Sequence, residues 1–526
     1  MTWSRRCGLA GLTLARHLLT TPRRLRILLL ERRAAVPSAQ QKVGEATVQV
    51  SGYDERRRNC MTPLAEELCG RPESACPADL VRGSIPRFLH GTCVFNGPGR
   101  FSRAGLRYRH WLDGDGMLAA LTFDDQGVRV ANRFVRSVKF ATEQAANRAV
   151  FRTFGTAFEG DRLKRVGLES PVNVSVYPYA GALLAFGEQG LPWEIDPATL
   201  ETRGPFTFSG QLNEITPFSA HPKVDHRTGE LFNFGVSYSP EHPALNLFRF
   251  GADGRLVYRR RLPLPYASSV HDFALSASYA VFYVSPYILD VRAFLERGST
   301  LMDALTWQPE RGSRLVIVSR DTGAQIASIP VGAGYCLHLI NAFEAGTRLI
   351  VDIIEYERPL YGEYQVVPDL FTHVSCGRPV RLAVDPAAAE ILERREMAYA
   401  LAPDFPAHDL DLTGLPYDHV WMLGIGAALR PGRKFFDQLV RLDWKTGGTD
   451  IYQSPPRRYL GGEPVFVAQS GARDTDAVVV CQSFDADRGE SAFLVFDAYA
   501  LASGPIATIA LRSPIPLLFH SAFLAA

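Results

Sequence analysis

From about residue 81 to the end of the chain, apolar residues fall into short runs separated by tight polar reversals. Several reversals share one chemistry: an apolar run, an aspartate, one to three residues, a glycine, then another apolar run. Phe123-Asp124-Asp125-Gln126-Gly127-Val128 is one, and Val224 to Leu231, around Asp225 and Gly229, is a second. Phe248 to Leu256 turns at Asp253-Gly254, Val316 to Ile326 at Asp321-Thr322-Gly323, and Leu439 to Ile451 at Asp443 to Gly447. Aspartate and glycine tolerate the positive φ of hairpin turns, so each site predicts a strand reversal. Repeated hairpins with few helical stretches predict an all-β fold, and over this length a β-propeller. The turn spacing is irregular and does not give the number of blades.

One helix is expected within this region, at Val291 to Leu305. Its neighbours Tyr287, Ile288 and Leu289 offer either contact with a membrane surface or packing over the propeller face, the plainer reading. Residues 1–53 follow another pattern. Gly8-Leu9-Ala10-Gly11-Leu12 leads into a helical stretch to Leu19, and the strand-like Leu25 to Leu30 ends in Glu31. This is the back half of a dinucleotide-binding βαβ unit. Together with Gln41 to Tyr53 it resembles the start of flavin-dependent monooxygenases and halogenases. Arg6 stands where the first glycine belongs, and the first strand is missing, so the phosphate-binding turn has no anchor. A degenerate flavoprotein-like remnant is expected for 1–53. Residues 54–80 are expected to be a linker and lead-in, with a short helix at Leu64–Leu68, and 81–526 the main domain.

Composition changes this picture little. Of 526 residues, 46% are hydrophobic and 21% charged, ample for a large core. The net charge of +2 gives no reason to expect nucleic acid. Eight cysteines without a CxxC pair read as reduced thiols of a cytoplasmic protein. Cys60, Cys69 and Cys76 lie close together but lack a histidine at zinc-ligand spacing. No run of 18 apolar residues occurs, so no transmembrane helix is expected.

The chemistry lies in four histidines, each in a short apolar setting: His221, His271, His338 and His520. Their separations are 50 (271 − 221), 67 (338 − 271) and 182 (520 − 338) residues. Such gaps are too long for a helical or zinc-finger site. They suit ligands from separate blades pointing at one axis. His90, His226, His242, His373, His408 and His419 lack such context and read as surface or packing residues.

Several motifs then occur in an order that resembles the carotenoid cleavage oxygenases. That group includes the retinal pigment epithelium isomerohydrolase and the bacterial stilbene-cleaving enzymes. Gly91-Thr92 and Asn96-Gly97-Pro98-Gly99 match its opening turn. His110-Trp111-Leu112-Asp113-Gly114-Asp115-Gly116-Met117 matches its most recognisable run, with Leu112 for the usual aromatic and Ala119 where histidine is common. Asn132-Arg133-Phe134-Val135, Phe154-Gly155-Thr156 and the four histidine segments follow. The likeness runs from about residue 61 to 526. It implies a seven-bladed β-propeller, with helices and loops over the active-site face, holding Fe(II) on its axis through His221, His271, His338 and His520. Three carboxylates are implied to accept from the far ring nitrogens of the histidines and so orient the imidazoles. Glu188 and Glu463 match. The third position holds Asp404, one methylene shorter, which leaves its histidine held through water or less firmly. His110 and Asp113 read as structural turn residues.

The resemblance implies an iron-dependent dioxygenase that cleaves a conjugated carbon–carbon double bond with O₂, giving two carbonyl products. Phe154-Gly155-Thr156 is shared with the carotenoid and retinoid branch, which favours a carotenoid or apocarotenoid. A phenolic stilbene is the runner-up: Lys139 lies near where stilbene-cleaving relatives bind a phenol, although a solvated strand lysine is its plainer role. A flavin monooxygenase built on residues 1–53, and a propeller that binds a polyene without chemistry, are the readings from other classes.

Overall fold

The computed structural model describes residues 73–78, 80–164, 167–364, 371–511 and 513–526. The flavoprotein-like segment, the Leu64–Leu68 helix, Cys60 and Cys69 lie outside the described residues. All five aspartate–glycine reversals join antiparallel strands. Asp124 pairs with Gly127, Asp225 with Glu230, Phe250 with Leu256, Val318 with Gln325, and Leu442 with Thr449. In all five turns a glycine has positive φ, from 68° at Gly229 to 114° at Gly127, which a side chain would resist.

The hairpins assemble into seven antiparallel sheets of four or five strands, a seven-bladed β-propeller. Outer strands such as Glu390–Glu396 are largely exposed, whereas Ala477–Asp485 is buried except at Asp485. Strands covered on both faces read as continuous apolar runs, because no face is left for polar residues. Blades pack face to face through these runs. Val281, Ile317, Leu349, Val351, Ile353 and Leu382 share one cluster and are fully buried. Each such side chain stabilises the packed blades by about 1.5–3 kcal/mol.

The ring closes in a particular way. Strand Gly91–Arg100 pairs on one side with Asp115–Asp124 and on the other with His520–Ala525, with Asn96 opposite His520. The last described strand thus completes the blade that contains Gly91–Arg100. Ser74–Pro77, within the stretch 54–80 expected to be linker and lead-in, and Leu80–Gly83, at its boundary with the main domain, pair with Gly127–Phe134 and Ala507–Ala510 as outer strands of two blades.

Two helices differ from expectation. Helix α1, Val138–Ala146, occupies a stretch read as strand. Ser137 caps it by accepting from Phe140 N (3.2 Å), and Asn147, at φ 47°, ends it. Helix α2 spans only Val291–Glu296, not Val291 to Leu305. Asp290 caps its start, Gly298 turns the chain at φ 73°, and Leu305–Trp307 pairs as a strand with Tyr287–Leu289. Tyr287 and Leu289 are buried in the largest core cluster, so they pack over the blades rather than face outward. No helix among the described residues is long and apolar enough to cross a membrane.

Candidate metal centre

The four histidines stand at the first strands of four different blades. His221 and His271 come just before Lys223–Asp225 and Ala274–Leu275; His338 lies within Tyr335–Ala345, and His520 heads His520–Ala525. First strands line the propeller axis, so residues up to 299 positions apart (520 − 221) meet there. One ligand nitrogen from each lies within 4.8 Å of all the others, and all four residues are buried. The rings of His271 and His520 lie 4.4 and 4.5 Å from that of His221.

Three of the four are oriented from behind. His271 Nδ1 donates to Glu188 Oε1 (2.9 Å), His338 Nδ1 to Asp404 Oδ1 (2.6 Å), and His520 Nδ1 to Glu463 Oε2 (3.4 Å). A proton on Nδ1 leaves a lone pair on Nε2. Three lone pairs therefore converge on the axis. His338 Nε2 is buried without a partner, and the Nε2 atoms of His221 and His271 are only 2.9 Å apart. Burial and the neighbouring histidines pull the His221 pKa well below its usual value, which keeps that ring neutral. Ring nitrogens crowded in a buried space, one of them without a partner, are a donor set for a metal cation, and unfavourable without one.

Asp404 makes direct contact with His338, where a water-bridged or looser hold was expected. A register shift between Asp404 and Ala407 and a φ of 52° at Phe405 bend the strand at this point. The carboxylate also accepts from Tyr364 Oη (2.9 Å) and Phe405 N (2.8 Å). Burial works against the charge on Asp404, but His338 and these donors hold its pKa below the ordinary value. Among the described residues His221 has no equivalent partner. Asp272 Oδ1 is 3.9 Å from His221 Nδ1 and is engaged by Lys223 Nζ (2.8 Å). Glu188→Gln should weaken metal retention by about 10–100-fold while leaving the blades folded, which chelator competition would measure.

One cavity is lined by His221, His338 and His520 themselves. A second reaches the centre through Glu188, the partner of His271; Leu112, Phe154, Leu168, Leu301 and Tyr361 supply its apolar walls, and Glu169, Asn173 and Gln189 its polar ones. Tyr361 and Tyr364 were not singled out in the sequence. Their only local signal is an i, i+3 tyrosine pair in a turn, because the groups they touch are far away in the chain.

Lys139 is not a solvated strand residue. It lies fully buried on α1, and its ammonium donates to Asp115 Oδ1 (2.8 Å), Glu143 Oε2 (2.9 Å) and Tyr108 Oη (3.2 Å). Arg103 completes the group through Asp115 (2.6 Å) and Glu143 (3.0 Å). All three ammonium protons are used, so none is left for a phenol. His110 and Asp113 are buried turn residues. His90, His226, His242 and His373 are exposed, and His408 and His419 half-buried.

The family described as retinal pigment epithelial membrane protein matches residues 69–525. Apocarotenoid-15,15'-oxygenase of Synechocystis is 30% identical over 461 residues, 84% of this chain and 92% of that protein. Isoeugenol monooxygenase of Pseudomonas nitroreducens is 28% identical over 452 residues, 84% and 93% of the two chains. The crystal structure of the cobalt-substituted Synechocystis apocarotenoid oxygenase matches with a TM-score of 0.80 at 27% identity, covering 89% of this chain and 99% of that one. The family match takes in all seven blades and all four axial histidines, and the chain belongs to the retinal pigment epithelial membrane protein family, the carotenoid cleavage oxygenases.

Proposed function

We propose that the protein is an iron(II)-dependent oxygenase that splits one conjugated carbon–carbon double bond of an apocarotenoid. The alkene and O₂ give two carbonyl products, with both oxygen atoms accounted for. The observation that carries this reading is the cluster of four buried imidazoles, with a cavity walled in part by Leu112, Phe154, Leu301 and Tyr361 behind the His271–Glu188 pair. His221, His271, His338 and His520 would hold the iron, and ferrous iron bound there would supply the electrons that let O₂ react with an alkene. Glu188, Asp404 and Glu463 keep three rings in the ligating tautomer. Leu112, Phe154 and Tyr361 exclude water and position the polyene. The balanced reaction needs no general base.

A phenolic aryl alkene is the second reading, supported by the likeness to isoeugenol monooxygenase. The engagement of Lys139 by Asp115, Glu143 and Tyr108 weighs against phenol binding through that residue. We read residues 1–53 as a flavoprotein-like remnant without flavin, and the location as cytoplasmic, in keeping with the free thiols of Cys93, Cys336, Cys376 and Cys481. The test is iron analysis combined with product identification. The purified protein should carry close to one iron, show no flavin absorbance, and convert an apocarotenal to two shorter carbonyl compounds. Cleavage of a hydroxystilbene alone would move the assignment to the second reading. Bound iron without cleavage of either substrate would leave a polyene-binding propeller.

A further inference from the structure

The one-turn helix Tyr361–Tyr364 touches two of the three imidazole–carboxylate pairs at once. His271 Nδ1, which donates to Glu188, also points at Tyr361 Oη, 3.4 Å away. Tyr364 Oη donates to Asp404 Oδ2 (2.9 Å), the carboxylate behind His338. A single turn of helix thus bears on ligands from two blades. Its own position is held from a third. The backbone oxygen of Tyr361 accepts from His110 Nε2 (2.9 Å), 251 residues earlier.

The tautomer of His110 follows from its partners. Leu112 N–H can only donate, and it meets His110 Nδ1 (3.0 Å); the Tyr361 oxygen can only accept. His110 therefore carries its proton on Nε2, directed at the helix. The ring is wholly buried and fixed on every side. Its backbone N–H donates to Asp113 Oδ2 (3.1 Å), and Asp113 in turn accepts from Gly155 N (2.8 Å) and Thr156 Oγ1 (2.6 Å). A Cβ at Gly155 would lie 2.4 Å from His110 Cβ, so glycine is required for this approach. Phe154 packs its ring against those of both His110 (4.7 Å) and Tyr361 (5.1 Å), and Trp111 meets Tyr364 edge-on (5.6 Å).

We propose that Tyr361–Tyr364 is a clamp on the metal centre and that His110 is the positioning residue that locks it through the Tyr361 carbonyl. This gives the motif from His110 to Met117 a role reaching beyond its own turn. It rests on the reading of the four histidines as metal ligands.

The test compares two His110 variants that divide its bonds. Asparagine retains an acceptor near Nδ1 for Leu112 N–H but cannot reach Tyr361. Glutamine retains a donor near Nε2 for Tyr361. Each full-length variant is loaded with Co²⁺ and mixed with excess EDTA, and loss of the cobalt absorption is followed in time. His110→Asn should release cobalt about tenfold or more faster than wild type, and His110→Gln should stay within about threefold of it. Tyr364→Phe removes one hydroxyl only and should speed release about three- to tenfold. Circular dichroism of the metal-free proteins separates faster release from loss of fold. Wild-type release rates in His110→Asn, or equal acceleration in both His110 variants, would overturn the clamp and leave His110 a local cap. Should the His110 variants fail to fold, Tyr364→Phe decides: release at the wild-type rate overturns the proposal. A wild-type protein that binds no cobalt would instead remove the metal-site reading itself.

Discussion

Replacing His338 with alanine should weaken metal binding by more than about a hundredfold, because loss of an orienting partner alone costs about 10–100-fold and here a ligand itself is lost. The effect has a second part. Asp404 is buried, and His338 provides the leading opposition to the desolvation that works against its charge. With the imidazole gone, Asp404 keeps only Tyr364 Oη and Phe405 N as donors. Its pKa should rise, and the metal-free variant should be less stable than metal-free wild type at neutral pH. The stability gap should narrow on acidification, because the native carboxylate stabilises the fold only while it is ionised. Metal analysis after desalting and denaturant titration across pH would read both parts. Retention of more than about a tenth of wild-type affinity would show that the remaining three histidines suffice.

Lys139→Ala should destabilise the fold by about 3–5 kcal/mol, the usual cost of breaking a buried ion pair by removing one partner. The variant leaves Asp115 and Glu143, both fully buried, with Arg103 as the cation in direct contact with both, and Arg100 acting on Asp115 from farther off. Burial raises the cost of ionising Asp115, but Lys139 and Arg103 hold its carboxyl below the ordinary value. A carboxyl depressed in this way contributes stability above its unfolded pKa of about 4 and loses it as the pH falls through the lowered value. The difference between wild type and variant should therefore be largest at neutral pH and shrink below about pH 4. Activity on apocarotenoid and phenolic alkenes should fall together, in step with the folded fraction. A selective loss on phenols would show that the ammonium meets substrate after all.

These two residues mark how far the sequence could be read. The hairpins were legible because Asp124 to Gly127 and its four counterparts need backbone conformations that few residue types accept. The histidines were legible because each sits in a distinctive apolar run, and their long separations suited blades around an axis. Glu188, Asp404 and Glu463 were named from motif likeness, and the structure brings each against a histidine. Lys139 was misjudged because its partners lie on a strand, a loop and the next turn of a helix that the sequence reading did not assign. Local apolar spacing overextended α2, since Leu301 and Leu305 fit a helical period but lie beyond the turn at Gly298. Tyr361 and Tyr364 gave no usable signal: a bond between His110 and a carbonyl 251 residues away depends on the ring being closed.

The manner of that closure bears on how the protein is made. Asn96 faces His520, so 424 residues (520 − 96) must be synthesised before Gly91–Arg100 gains its last neighbour. At about 5–20 residues per second, a nascent chain carries this unpaired strand edge for about 20–85 s. Such an edge invites pairing with other chains. The strand that covers this edge, His520–Ala525, also delivers His520, so the four-histidine seat is complete only once that residue has left the ribosome. Chaperone cover during translation, and metal supply afterwards, should govern the yield of active protein more than the strength of any single blade.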